Sequence, residues 1–141
     1  MHMNAQVYDQ YRKTSVETLS PAKLLLMLYD GALNFLSNAK KAIEEKDIPR
    51  AHSQIVRAQD IVVELMATLN MDIPLSNQLY ALYDYIHRRL VEANIKKDPA
   101  IIDEASHFLR ELRDAFAQAA REAGRSRIPN NTEAKKLNIM G

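Results

Sequence analysis

Apolar residues recur along the chain with the period of an α-helix, and the first such stretch follows Ser20. Its stripe consists of Leu25, Leu28, Tyr29, Ala32, Leu36, Ala39 and Ile43. Ser is a favoured N-cap and Pro21 a favoured first helical residue, so the pattern predicts a helix from Ser20 to about Asp47. Further apolar residues lie off this stripe, which indicates a helix with neighbours on several sides.

Three further stripes predict helices over about residues 48–71, 75–96 and 99–122. Asp47 and Asp98 are the expected caps of the second and fourth helices, and four of the five prolines stand at helix starts. The sequence contains no period-two alternation and no Asn-Gly or Asp-Gly between apolar runs, which are the usual strand and hairpin signals. Gly31 is the one glycine well inside a stripe, and we expect a neighbouring helix to pack closely there.

The expected fold is all-α: an antiparallel up-down four-helix bundle, because the four helices are long, similar in length and joined by short turns. Residues 1–19 are expected to form an N-terminal arm and connector, and residues 20–122 the bundle. Residues 123–141 lose the helical period and are expected to form a flexible C-terminal tail.

Composition narrows the function classes. The 141 residues are 47% hydrophobic and 26% charged, which suits one domain with a proper core. The absence of cysteine excludes disulfides, thiolate zinc sites and thiol nucleophiles. A formal net charge of +1 does not favour nucleic-acid binding. No apolar run is long enough to span a membrane and no secretory signal is visible, so membrane insertion is not expected.

One metal alternative comes from two helical carboxylate–histidine pairs. Asp84 with His87, and Glu104 with His107, have the i, i+3 spacing that di-metal bundle enzymes use. The other ligands would be Asp30 and either Asp60 or Glu64. The two pairs would be offset by roughly 10 Å in an antiparallel bundle, which argues against a metal. Without a nucleophile elbow or a glycine-rich phosphate loop, the expectation is no enzyme, no cofactor and no metal.

The second and third helices carry more apolar residues than one buried stripe uses. A wide core explains this surplus, because inner helices touch two neighbours. A groove that receives an amphipathic helix from another protein explains it equally well, and so does a seam for self-association. Val7, Tyr8 and Tyr11 of the arm form an apolar side that is able to cover such a groove.

Four segments in order resemble the flagellin export chaperone family, FliS. They are SPAKLLLMLYDGALNFL (20–36), RAQDIVVEL (57–65), LYDYIHRRLVEAN (82–94) and LRELRDAF (109–116). The resemblance covers about residues 4–120. The chain departs from the family pattern at the connection 70–74, which lacks glycine, and at Phe116, where the family often has Trp.

The resemblance implies a cytoplasmic four-helix chaperone without cofactor. It would bind the disordered C-terminal segment of flagellin, prevent premature polymerisation and deliver flagellin to the flagellar type III export apparatus. Further partners would be the export gate and a competing regulatory protein, with no nucleic acid.

Face geometry and the resemblance together give the expected site. The partner-binding residues are predicted to be Ile55, Gln59, Val63, Tyr83, Ile86, His87, Leu90 and Asn94. The N-terminal cover is predicted to consist of Val7, Tyr8 and Tyr11, where Tyr8 and Tyr11 match the arm tyrosines of the family. Asp30 is assigned a hydrogen bond at a helix edge.

Overall fold

The structure is a computed structural model that describes residues 20–125. Its elements are α1 (Pro21–Glu44), α2 (Ile48–Ala67), α3 (Pro74–Lys96) and α4 (Pro99–Arg125), with no strand among the described residues. Each helix packs on the next, and α4 returns to pack on α1, so the four form a square. The prediction of an all-α four-helix bundle is confirmed. The N-terminal arm and most of the predicted tail lie outside the described residues.

Side-chain caps start three of the helices as the sequence predicted. The Ser20 hydroxyl accepts the N–H of Lys23 at 3.2 Å, and Asp47 accepts the N–H of Arg50 at the same distance. The Asp98 carboxylate accepts the N–H of Ala100 at 2.9 Å. These caps satisfy donors that the first helical turn leaves without a backbone partner.

α2 ends earlier than its apolar period suggested, at Ala67 rather than near residue 71. The Thr68 hydroxyl donates to the carbonyl of Leu65 at 2.9 Å, and the side chain of Asn70 accepts the N–H of Asp72 at 3.1 Å. Thr and Asn side chains compete in this way with the helical backbone, so the chain turns before the stripe runs out.

The core is built from the centres of the four stripes. Its members include Leu36, Ile55, Val62, Leu90 and Leu109, which are all fully buried. α1 and α2 approach closely at Gly31, where an added Cβ would lie 3.3 Å from the Cδ1 of Ile61. The predicted close packing at Gly31 is therefore confirmed.

Two tyrosines bring hydroxyl groups into this core. The hydroxyls of Tyr29 on α1 and Tyr83 on α3 are hydrogen-bonded to each other across the diagonal of the square. The ring of Tyr29 also stacks on Phe116, with 5.9 Å between centroids. Burial raises the pKa of both tyrosines above the ordinary value, so both stay neutral.

Ion pairs join α1 to α4 along the outside of the bundle. Arg113 Nε donates to the Asp30 carboxylate at 2.8 Å, which confirms the hydrogen bond expected for Asp30. Lys40 Nζ lies 2.6 Å from the Asp103 carboxylate. These contacts set which residues of α1 and α4 lie level with each other.

Candidate functional site

A polar contact fixes how α2 and α3 lie against each other. Asn94 Nδ2 donates to His52 Nδ1 at 2.9 Å. Seven residues make about two helical turns, so residues seven apart lie on the same side of a helix. Because α2 and α3 run antiparallel, the residue seven positions after His52 on α2 faces the residue seven positions before Asn94 on α3. Gln59 therefore lies opposite His87, and by the same rule Met66 lies opposite Tyr80.

The outer surface along this line is the candidate site, which we call the α2/α3 groove. Its residues are His52, Gln59, Val63 and Met66 on α2, and Tyr80, His87 and Asn94 on α3. The groove is polar at the His52–Asn94 end and apolar at the other. Val63 is 49% exposed and Tyr80 is 44% exposed, so the apolar end has surface to offer.

Gln59 adds a polar feature in the middle of the groove. Its Oε1 is buried and has no hydrogen-bond partner among the described residues. A buried acceptor without a partner is unusual, because desolvating it costs free energy that a hydrogen bond normally offsets. The groove therefore contains one buried acceptor that has no partner among the described residues.

Four of the predicted partner-binding residues lie in the core instead of on the surface. They are Ile55, Tyr83, Ile86 and Leu90, each 0–1% exposed. Side chains buried this completely offer no area to a partner, so we correct their assignment from groove to core. Gln59, Val63, His87 and Asn94 remain as predicted groove residues. The cover residues Val7, Tyr8 and Tyr11 lie outside the described residues, and their role stays a prediction.

The reason for this correction lies in helix geometry. The centre of an apolar stripe faces the bundle interior, and only its flanks reach the outer groove between two helices. Leu90 and Ile86 stand at the centre of the α3 stripe, whereas His87 and Asn94 stand at its flank. Sequence reasoning missed His52, Met66 and Tyr80; the seven-residue spacing of His52, Gln59 and Met66 was the available signal.

Four of the candidate ligands of the metal alternative, Asp30, Asp84, Glu104 and His107, have other partners. Asp84 pairs with Arg88 at 3.2 Å, and the His107 ring lies 3.1 Å from the Glu111 carboxylate. Glu104 accepts the Tyr85 hydroxyl at 2.6 Å and Arg89 Nε at 3.2 Å, and the Tyr85 bond is the main reason its pKa is lowered. Within residues 20–125 no group of three such side chains is placed to hold a metal ion.

None of the helices described here combines the length and the apolar character that crossing a bilayer requires.

Comparison with known proteins identifies the family. The family model described as "Flagellar protein FliS" matches residues 4–123. The chain belongs to the FliS family. The flagellar secretion chaperone FliS of Bacillus subtilis (strain 168) is 42% identical over 120 residues, which cover 85% of this chain and 90% of that protein. The FliS of Vibrio cholerae is 32% identical and covers 77% of this chain and 84% of its own length.

The FliS assignment extends to the fold. A crystal structure of a flagellar chaperone from bacteria superposes with a TM-score of 0.69 at 21% identity, covering 83% of this chain and 97% of that one. The family model and the FliS relatives confirm the resemblance found in the sequence, and membership places the chain among flagellar secretion chaperones.

Proposed function

We propose that the chain is a cytoplasmic chaperone that binds the disordered C-terminal segment of flagellin in the α2/α3 groove. In this role it prevents premature polymerisation and delivers flagellin to the flagellar type III export apparatus, without catalysing a reaction. The observation that carries the proposal is the exposed apolar surface of Val63 and Tyr80 beside Gln59, on a chain of the FliS family.

The groove suits a segment that folds as it binds. An amphipathic helix is able to place apolar residues against Val63, Met66 and Tyr80. A disordered segment loses conformational entropy on binding, so a large contact area is compatible with release. That balance is what a chaperone without an energy source needs.

The proposal includes the N-terminal arm and two further partners. We propose that Val7, Tyr8 and Tyr11 cover the groove until flagellin displaces them. The export gate and a regulatory protein that competes for the same surface are the other proposed partners.

Calorimetric titration with a peptide of the last fifty or so residues of the host's flagellin tests this function. One-to-one binding with a negative heat-capacity change is expected, because apolar surface is buried. Val63→Asp should weaken binding by roughly tenfold or more, since it places a charge on the apolar end of the groove. The matched control is Met27→Asp on α1, where the side chain is 55% exposed and outside the groove.

Two outcomes would contradict the proposal. If neither the full chain nor a chain without residues 1–14 binds the peptide, flagellin is refuted as the partner. Equal weakening by Val63→Asp and Met27→Asp, with both variants helical by circular dichroism, would refute the α2/α3 groove as its site. Self-association through the groove stays a prediction, and light scattering at low concentration tests it.

A further inference from the structure

A cavity of about 370 Å³ lies between the start of α1 and the end of α4. Its walls are mainly apolar and include Ala22 and Leu26 of α1, and Ala120, Ala123 and Gly124 of α4. Since α2 and α3 contribute no residue to it, the cavity is separate from the α2/α3 groove. The chain enters the bundle beside this cavity at Ser20 and leaves it there at Arg125. Residues 1–19 and 126–141 are therefore both within reach of it.

Two of the other helices end with the same kind of turn. After α1, Lys46 lies in the left-handed region with φ of 60°, and the N–H of Asp47 donates to the carbonyl of Ala42 at 2.8 Å. After α3, Lys97 has φ of 51°, and the N–H of the next residue donates to the carbonyl of Ala93 at 3.2 Å. This arrangement is the Schellman motif, in which a left-handed residue reverses the chain at a helix end. In this chain a lysine, and not the more usual glycine, holds the left-handed position.

The residues after α4 repeat this pattern with one change. Arg127 stands two residues after the end of α4 at Arg125, as Lys46 stands two residues after the end of α1. The next residue is Ile128, where both other turns have aspartate. Pro129 follows, and a proline disfavours helical backbone in the residue before it. The sequence thus predicts that the chain reverses between Arg125 and Ile128.

An apolar residue at this position of the turn has a defined place. In a Schellman motif the residue after the left-handed one frequently contacts the side chain five positions earlier in the helix. For Ile128 that residue is Ala123, which lines the cavity. The small side chains of the last turns of α4 leave room there for an isoleucine, and Leu26 of α1 provides an apolar wall.

The chain before α1 is directed to another side of the bundle. An apolar residue before an N-cap often packs on the fourth residue of the helix, which here pairs Leu19 with Leu24. Leu24 precedes Gly31 by seven residues, so both lie on the side of α1 that faces α2. The cavity lies on the side that faces α4. The tail is therefore better placed than the arm to fill it.

We propose that α4 ends in a third Schellman motif, with Arg127 as its left-handed residue, and that Ile128 fills the cavity between α1 and α4. The Ile128 side chain contacts Ala123 and Leu26 and so fastens the end of α4 to the start of α1. The FliS family model ends at residue 123, so this closure lies in a part of the chain that the model does not match. It does not depend on which partner occupies the α2/α3 groove.

Nuclear Overhauser spectra of the full chain with ¹³C-labelled methyl groups test the contact directly. Cross-peaks are expected from the δ1 methyl of Ile128 to the methyl groups of Leu26 and Ala123. Cross-peaks from Leu19 to those methyl groups would instead show that the arm fills the cavity, and cross-peaks seen only between differently labelled copies would assign it to a second molecule. Either result, or the absence of the Ile128 cross-peaks, would overturn the proposal.

Urea unfolding of full-chain variants measures what the Ile128 contact contributes. Ile128→Ser should raise the equilibrium constant of unfolding about fivefold, because it removes buried apolar surface. Ile139→Ser makes the same change further along the tail and should leave the constant unchanged. Equal effects of the two variants would overturn the proposal.

The left-handed turn makes a prediction of opposite sign. Arg127→Gly should lower the equilibrium constant of unfolding by up to about fivefold, because glycine adopts the left-handed conformation without strain. Arg121→Gly inside α4 is the matched control and should raise the constant about fivefold. A higher constant in both glycine variants would overturn the turn at Arg127. None of these outcomes bears on the flagellin titration.

Discussion

At the scale of single residues, the hydroxyls of Tyr29 and Tyr83 are the polar pair of the core. Replacing Tyr29 with Phe leaves the Tyr83 hydroxyl buried without this partner, so the free energy of unfolding should fall by about 1–2 kcal/mol. The double variant Tyr29→Phe/Tyr83→Phe should lose less than the sum of the single variants, because it leaves no orphaned hydroxyl. Urea unfolding followed by circular dichroism measures all three. Additive losses would show that the two hydroxyls do not stabilise each other.

The same pair predicts how stability depends on alkaline pH. Burial raises the pKa of Tyr29 and of Tyr83 in the folded state above the value of 10.0 expected when they are exposed. The unfolded chain therefore loses these protons first. The stabilisation is complete below about pH 10, and the free energy of unfolding should fall as the pH rises beyond it. Urea midpoints from pH 8 to pH 11 test this, and a loss equally steep in the double Phe variant would assign it to other groups.

At the scale of elements, the turn between α1 and α2 holds Lys46 in the left-handed region, with φ of 60°. This conformation costs a residue with a side chain roughly 1–2 kcal/mol, whereas glycine adopts it freely. Lys46→Gly should therefore raise the free energy of unfolding. The gain should be at most about 1 kcal/mol, because the greater flexibility of glycine in the unfolded chain offsets part of it. Lys41→Gly inside α1 is the control and should lower it by about 1 kcal/mol. Thermal unfolding decides, and a destabilised Lys46→Gly would mean that its side chain contributes to the turn.

The helices themselves were predictable because each is encoded locally. Each helix has an apolar stripe and a proline in its first turn, and three of the four also have a capping Ser or Asp, all within a few residues of one another. The end of α2 was less predictable, because the apolar stripe continues to Leu69 while Thr68 and Asn70 turn the chain earlier. A local hydrogen bond from a short polar side chain decided the boundary over the apolar period.

At the scale of the whole molecule, the site was harder to predict than the fold. Ile86 and His87 are adjacent in sequence and lie on neighbouring sides of one helix. Ile86 belongs to the core, whereas His87 is predicted to line the groove. Which flank of α3 faces α2 depends on contacts between helices such as that of His52 with Asn94. The sequence shows both residues but not how α2 and α3 align with each other. The predicted site therefore combined residues from the centre of the apolar stripe with residues from its flank.

The distinction between core and groove gives the last prediction. Ile86 is fully buried, so Ile86→Asp would bury a charge without a partner and should cost about 4 kcal/mol or more, enough to unfold much of the bundle. Val63 is half exposed, so Val63→Asp keeps its carboxylate in water and should cost less than about 1 kcal/mol. Circular dichroism with urea unfolding compares the two at equal concentration. A folded Ile86→Asp variant that fails to bind flagellin would show that Ile86 belongs to the groove. Unfolding of the Ile86→Asp variant, with the Val63→Asp variant still stable, would show that the boundary between core and groove lies at the flank of each stripe.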